Sequence, residues 1–316
     1  MSSVRENADS LCRAWTPPIA SDSGENLNFF KIGSHNVQAA DMRGPGYNKL
    51  DSRDLNISLR LLIDEQFDII CLQELQRCTR RGCTYCISGT CRRDHSKFAH
   101  ELLIQSGYDG SQHMRNMKRT VGLYYKTEKF DLIDRMRFVN FDWMFDNNKG
   151  AVLALLRLKS RPSNVLLVAA VHFSVPLFDG LPDTSKPLQE VNQLFSKIQN
   201  IYDRNSGGRP VPTIVAGDFN SISFDPTPES QLAPPDLYRS MLSRGFESAY
   251  KSVQGEEPTH TTTEFNQCID YIFFSPAILC PVNVLSVPSI HEHGALALPA
   301  PSDHIPIGVI LSFPSI

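Results

Sequence analysis

The sequence predicts an α/β fold, and two observations carry that prediction. Short apolar runs rich in β-branched and aromatic residues alternate with stretches whose apolar residues recur every three or four positions. Most of the apolar runs also stop at an Asn, Glu, Asp or His, as a buried strand does when it reaches the rim of a sheet.

The elements follow in order. Phe29 to Val37 reads as a first buried strand, and Leu55, Leu59, Leu62 and Ile63 then give a helix at spacings of three and four. Phe67 to Glu74 is the second strand, after which Asp94 is placed to cap a helix carrying Phe98 and Leu102. Thr120 to Lys126, Ala151 to Leu158 and Val165 to His172 are strands between turn formers. Leu188, Val191, Leu194, Phe195, Ile198 and Ile201 make one side of a long helix, and Thr213 to Asn220 is the next strand. Pro234-Pro235-Asp236 opens a helix with Leu237, Met241 and Leu242, and Cys268 to Phe274 and Ile305 to Phe313 complete the set. Loops are expected at Gly44 to Tyr47, Phe178 to Pro187, Asn205 to Pro212 and Phe224 to Pro235, where Gly, Pro, Asp and Ser concentrate.

The strand ends with chemistry run from Asn36 to His304 with no composition break, and no internal repeat shows a fixed period, so one domain is expected from 29 to 316 behind a flexible extension, 1–28. A hydrophobic content of 41% with 21% charged residues excludes a disordered chain, a coiled coil or a collagen-like fibre. A net charge of −3 excludes a general polyanion-coating protein and makes any nucleic-acid contact local. No apolar run approaches the roughly 18 residues of a membrane span, so no membrane partner is expected. The start of the chain lacks the signature of a secretory signal, and Glu6, Asp9, Asp22 and Glu25 interrupt a presequence pattern, so a cytoplasmic address is expected.

The strand-end residues are Asn36, Glu74, His172, Asp218, Asn220, Asp270, Asp303 and His304. Carboxylate oxygens are hard ligands that suit Mg²⁺ or Mn²⁺, and histidines and amides suit a phosphate gathering negative charge in a transition state. Taken one at a time they are ordinary: Asp218 also fits an Asx turn, Asp303-His304 a helix cap, and His172 a hydrogen-bonded core histidine. Together they point to phosphoester hydrolysis.

Ser34-His-Asn-Val37, Cys71-Leu-Gln-Glu74, Val171-His172, Gly217-Asp-Phe-Asn-Ser221, Ile269-Asp-Tyr-Ile272 and Pro301-Ser-Asp-His304 stand in an order that resembles the motif set of the endonuclease/exonuclease/phosphatase superfamily. That superfamily includes deoxyribonuclease I, apurinic endonucleases and inositol polyphosphate 5-phosphatases. The resemblance implies a four-layered α/β sandwich, two packed and mainly antiparallel sheets flanked by helices. Tyr124-Tyr-Lys-Thr-Glu-Lys-Phe130, Cys268-Ile-Asp-Tyr-Ile-Phe273 and Ala297-Leu-Pro before Pro301 are similar to the deadenylase branch, which holds Ccr-Not catalytic subunits, nocturnin, Angel proteins and 2'-phosphodiesterase. His35 replaces the branch's usual Tyr, and Arg119-Thr120 stands where many deadenylases have Asp-Gly. No leucine-rich repeat precedes the domain, so the docking module of Ccr-Not subunits is not expected.

By that resemblance Glu74 holds Mg²⁺, Asp218 is general base or metal ligand, and Asp303 assists at the metal. Asn36 and Asn220 orient phosphate, His172 and His304 stabilise its charge, and Asp270 fixes the tautomer of His304. Gln38 stands where some members carry an acidic ligand. Phe265, five residues before Asp270, is placed to stack on a terminal adenine, opposite an apolar contact from Pro176. The implied activity is a Mg²⁺-dependent 3'-to-5' exoribonuclease releasing 5'-AMP from poly(A) or an oligoadenylate. The alternatives are a 2',5'-oligoadenylate phosphodiesterase, a nocturnin-like phosphatase of a small nucleotide, and an inactive adaptor of the same fold.

Two features lie outside the motifs. Cys78, Cys83, Cys86 and Cys91 form a C-x4-C-x2-C-x4-C run in a Cys-rich basic insertion at 77–93, open to one structural Zn²⁺, to reduced thiols or to disulfides. Between Arg77 and Arg119, nine Lys and Arg face three acids, which suits a local RNA-backbone groove beside Glu74. Cys12, Cys71, Cys268 and Cys280 are scattered, as small core or surface residues are.

Overall fold

The computed structural model describes residues 28–37, 52–76, 95–112, 119–141, 149–175, 177–178, 181–182, 184–208, 210–223, 235–262, 267–276, 278–286, 302 and 304–314. Two mixed sheets face each other. The first runs β14 (Cys280–Ser286), β15 (Ile307–Ser312), β1 (Phe29–Asn36), β2 (Ile69–Gln76), β4 (Arg119–Lys126), β3 (Tyr108–Gln112). The second runs β12 (Glu247–Ser248), β13 (Asp270–Phe274), β11 (Thr213–Asp218), β8 (Val165–His172), β7 (Gly150–Leu158), β5 (Phe130–Leu132), with β6 (Arg137–Asn140) also on β7. Pairing is antiparallel except at β1–β2 and β11–β8. A short hairpin joins β9 (Leu177–Phe178) to β10 (Leu181–Pro182).

Alternation along each strand sorts side chains into three apolar cores. Ile32, Ile69, Val168, Ile214, Ile272 and Val309 meet between the sheets. The outer face of the first sheet packs Ile70 and Leu72 on Leu55, Leu59 and Leu62 of α1 (Ser52–Asp64) and on Ala99 and Leu103 of α2 (His95–Gln105). Behind the second sheet, Leu167 and Val215 pack on Val191, Leu194 and Ile198 of α3 (Ser185–Ser206) and on Leu237 and Met241 of α4 (Asp236–Ser243). The order is helix, sheet, sheet, helix. Each such side chain contributes about 1.5–3 kcal/mol on burial, so the layers are held by the same residues that set the sequence periodicities. No helix among the described residues is long and apolar enough to cross a membrane.

Three local expectations change. The loop foreseen over Phe178 to Pro187 contains β10 and the first turn of α3, which tolerates Pro187 because amides there have no helical partner to lose. Strand β14 went unread because Pro281 and a register shift at Pro281/Asn283 break its alternation. Cys71 and Cys268 are buried free thiols as expected, but Cys280 is disulfide-bonded. The short helix α5 (Ala249–Gln254) sets Ala249 and Tyr250 at one end of the central core.

Candidate active site

Three neighbouring strand ends of the second sheet carry the centre of the site. The register pairs Asp218 with His172 on one side and with Asp270 on the other. Gly217 makes that approach possible: its φ is +152°, and a Cβ there would stand 2.0 Å from the carbonyl oxygen of Val171. From the first sheet, Asn36 Nδ2 donates to Asp218 Oδ2 at 2.9 Å, a side-chain bond that spans the sandwich. Glu74 arrives from the next strand. The β2–β4 register shifts between Leu72 and Leu75, and Glu74 takes φ +57° within this bulge. A non-glycine residue in the left-handed region costs about 1–3 kcal/mol and persists where surrounding contacts over-determine it.

Asp218 uses both carboxylate oxygens. Oδ1 accepts the backbone N–H of Asn220 at 2.8 Å, an Asx turn that holds Asn220 at φ +49°, while Oδ2 faces Asn36 and lies 3.3 Å from His172 Nε2. The Asx turn expected at this residue is formed, and the same carboxylate faces Asn36 and His172. Burial pushes its pKa up, but the hydrogen bond and charge of His172, helped by His304 and Lys149, prevail and hold it well below the usual carboxylate range.

The opposite wall is a hydrogen-bonded pair. His304 Nδ1 lies 2.8 Å from Asp270 Oδ2, which directs its other ring nitrogen to within 3.9 Å of Asp218 Oδ2. Thr261 buttresses the pair: its hydroxyl donates to Asp270 Oδ2 at 2.8 Å and accepts the N–H groups of Ile269 at 3.0 Å and Asp270 at 3.1 Å. Burial raises Asp270 to about 6, against the pull of His304. His304 sits in an isolated bridge to Thr262 and not at a helix cap, and Ser302 ties it in place by donating to the Asn36 carbonyl at 2.7 Å and accepting the His304 N–H at 3.1 Å.

His172 is fully buried. Its Nε2 is 3.7 Å from Glu74 Oε1 and in contact with Lys149 Nζ, and its Nδ1 is buried without a hydrogen-bond partner. Burial and the Lys149 charge lower its pKa, against Asp218 and Glu74. Just beyond it, Glu190 of α3 receives the Ser174 N–H at 2.8 Å and its hydroxyl at 2.5 Å, which fixes the exit of β8.

Asn36, Glu74, His172, Asp218, Asp270 and His304 thus come together. Asn220 stands beside them, with Nδ2 donating to the Phe173 carbonyl at 2.9 Å, so that amide group holds the loop. His35 has no place in the cavity: with Ser34 and Asn36 directed inward, it faces the outer core with Val37, buried, with neither ring nitrogen hydrogen-bonded, and its pKa falls to about 3 through burial and the nearby His304. Asp303, Phe265, Pro176, Gln38 and the cluster Cys78, Cys83, Cys86, Cys91 lie outside the described residues, as does the insertion at 77–93. Sequence reading missed Lys149, Glu190, Thr261 and Ser302. A Thr-rich run precedes Asp270 and a serine precedes Asp303-His304, but no spacing rule marks either.

Carboxylate oxygens dominate the donor set. Ligand atoms of Asp218, Asp270 and His304 lie within 4.8 Å of one another, and Asp270 Oδ1 is buried without a hydrogen-bond partner. Asp270 Oδ2 and His304 Nδ1 are already bonded to each other, but Asp270 Oδ1 keeps its lone pairs, so this buried group offers hard oxygen donors of the kind that fit a divalent cation.

A profile of the Endonuclease/Exonuclease/phosphatase family matches residues 33–304. The chain belongs to this family. Its fold is also that of two solved family structures. The human Nocturnin catalytic domain, with bound sulfate, superposes with a TM-score of 0.62 at 22% identity over 90% of this chain and 94% of that one. ANGEL2, a 2',3'-cyclic phosphatase in complex with adenosine-2',3'-vanadate, gives 0.64 at 20% identity over 91% and 96%. Carbon catabolite repressor protein 4 homolog 4 of Arabidopsis thaliana is 34% identical over 115 residues, 30% of this chain and only 25% of that protein's length. These relatives are of the branch that the sequence motifs resemble.

Proposed function

We propose that this member of the Endonuclease/Exonuclease/phosphatase family is a divalent-metal-dependent phosphodiesterase acting as a 3'-to-5' exoribonuclease of deadenylase type, releasing 5'-AMP from poly(A) or an oligoadenylate. One observation carries the reading: a single buried carboxylate, Asp218, is approached by Asn36, His172 and His304 from three separate strands and segments. Glu74 and Asp218 would hold Mg²⁺ or Mn²⁺, with Asp303 assisting, and the ion when bound supplies a Lewis acid for the phosphoryl oxygen.

The protein's own groups do the rest. Asn36 fixes the Asp218 carboxylate through its amide N–H. A carboxyl held so far below its usual range orients the attacking water and keeps its negative charge, and it takes up the water's proton only as the bond to phosphorus forms. His304 turns Nε2 towards the substrate because Asp270 engages Nδ1, and from there it donates to the phosphate oxygen as charge develops. Stacking by Phe265 against Pro176 would favour a terminal adenine, each base gaining about 1–3 kcal/mol. The basic stretch from Arg77 to Arg119 would track the RNA backbone, and the four clustered cysteines would hold one structural Zn²⁺.

A second reading follows from the ANGEL2 likeness, in which the substrate is a small nucleotide phosphoester such as a 2',3'-cyclic end. The deciding experiment incubates purified protein with 3'-labelled A-tailed RNA, 2',5'-oligoadenylate, a 2',3'-cyclic-phosphate end and a dinucleotide phosphate, with Mg²⁺ or with chelator. Metal-dependent release of 5'-AMP from the A-tail supports the first reading. Turnover confined to a small phosphoester supports the second, and no turnover of any substrate leaves the adaptor.

A further inference from the structure

The chain that leaves β8 is tied to Asp218 by a closed set of bonds. Phe173 N–H donates to the Asp218 carbonyl at 3.0 Å, Asn220 Nδ2 donates to the Phe173 carbonyl at 2.9 Å, and Asn220 N–H donates to Asp218 Oδ1 at 2.8 Å. Ser174 comes next and gives its N–H and its hydroxyl to the two carboxylate oxygens of Glu190 on α3, at 2.8 and 2.5 Å. Ser174 and Glu190 are 4% and 1% exposed, so the clamp is built into the interior. Within one residue the environment changes. Val175 is 46% exposed, the most exposed large apolar side chain among the described residues, and it stands three positions beyond His172.

A single exposed valine needs no explanation on a loop that is free to move. Here the two residues before it are fixed, Phe173 to Asp218 and Asn220, Ser174 to Glu190. Burying a carboxylate is costly unless it is hydrogen-bonded, and Glu190 meets that requirement with Ser174. The fold thus commits a buried charge to the placement of one serine. What that placement presents to water is a β-branched apolar side chain, stiff at χ1, beside a hydrolytic centre. Three residues span at most about 11 Å, so Val175 is within reach of a sugar or base whose phosphate lies at Asp218.

We propose that Val175 is an apolar contact for the nucleoside of the substrate, and that Glu190 is the positioning residue that holds it, through Ser174, in register with Asp218. The inference rests on the reading of the site as one that hydrolyses a nucleotide phosphoester, and it adds the determinant that separates such a substrate from a bare phosphodiester. A contact fixed before the substrate arrives gains affinity because little ordering is left to be done on binding.

The test measures kcat and KM for the full chain, with Mn²⁺, on oligo(A), on adenosine 2',3'-cyclic phosphate and on methyl p-nitrophenyl phosphate, which carries no nucleoside. The quantity read is the ratio of kcat/KM for the nucleotide that wild type turns over to kcat/KM for the methyl ester. Val175→Ser is expected to lower this ratio about 3- to 10-fold, through KM, and Val175→Ile to restore it. Ser174→Ala, which removes one of the two bonds to Glu190, and Glu190→Leu, which removes both, should lower the same ratio, and Glu190→Gln, whose amide keeps both contacts, should restore it. A wild-type ratio in Val175→Ser overturns the inference and leaves the nucleotide reading standing. A fall in kcat on both kinds of substrate alike, with KM unchanged, in Ser174→Ala and Glu190→Leu removes Glu190 from this role. Circular dichroism checks folding, and if Glu190→Leu does not fold, Val175→Ser and Ser174→Ala decide. Wild type that turns over the methyl ester and neither nucleotide, or nothing at all, overturns the nucleotide reading and the inference with it.

Discussion

Replacing Thr261 by valine keeps the shape of the side chain and deletes one hydroxyl that is tied to Ile269, to Asp270 and, at 3.4 Å, to the Gln267 carbonyl. The N–H groups of Ile269 and Asp270 both donate to it, and it donates to Asp270 Oδ2. Thr261 is 1% exposed, so water cannot take its place. Each buried donor left without an acceptor costs about 1–3 kcal/mol, and with partial relaxation the loss of both is expected at about 2–5 kcal/mol of unfolding free energy. Thr261→Ser keeps the hydroxyl and loses one methyl, a change of about 0.8 kcal/mol. Urea unfolding followed by circular dichroism measures both, and the urea dependence itself should be unchanged. Turnover should fall by about 10- to 100-fold in Thr261→Val, because Asp270 then holds His304 with one anchor fewer, and should recover in Thr261→Ser. A valine variant within about 0.5 kcal/mol of wild type would refute the reasoning, since that is the range of a surface substitution and not of one that strands two buried N–H groups.

Other expectations concern the carboxylates. Asp218→Asn should fold and lose about 10²- to 10⁴-fold in kcat, and an active variant would remove Asp218 from its role. Glu74→Ala should lose activity through weakened ion binding, so raising Mn²⁺ ought to restore part of it, and a natively folded variant that millimolar Mn²⁺ does not help counts against Glu74 as a ligand. Glu190 makes a pH prediction. Burial raises its pKa above the ordinary 4.5, so above that pH the folded state binds more protons than the unfolded one and stability falls as pH rises towards the folded value. Glu190→Gln preserves both Ser174 contacts and should flatten that part of a plot of Tm against pH, whereas an unchanged slope would show that another group carries it.

How much of this was legible can be read from particular residues. The strand ends were legible, because β8 and β11 run apolar up to His172 and Asp218 and β13 runs apolar from Asp270 onward, and a continuous buried run with a polar end needs no knowledge of partners. The long helix was legible for the same reason, its buried residues being those at spacings of three and four. Lys149 and Ser302 were not, because each acquires its role from another segment of the chain, as when Ser302 meets Asn36 across 266 positions, and Thr261 was not, because no spacing rule marks a hydroxyl that meets Asp270 across nine. The left-handed turn at Glu74 was equally hidden. Nothing in Cys-Leu-Gln-Glu marks a bulge, and the conformation is imposed by pairing with β1 on one edge and β4 on the other.

That wide spacing has a consequence for the order of events as the chain folds. The bond from Asn36 to Asp218 closes 182 positions and that from Ser302 to Asn36 closes 266, and contacts of such separation form late because the entropy of closing the loop must be met first. The two sheets can gather much of their apolar burial before either bond exists. A half-folded chain therefore has strands and helices but no assembled hydrolytic centre. On this topology the surroundings of Asp218 are complete only once the segment bearing His304 has docked beside β1, so the site is a property of the finished fold and of no part of it.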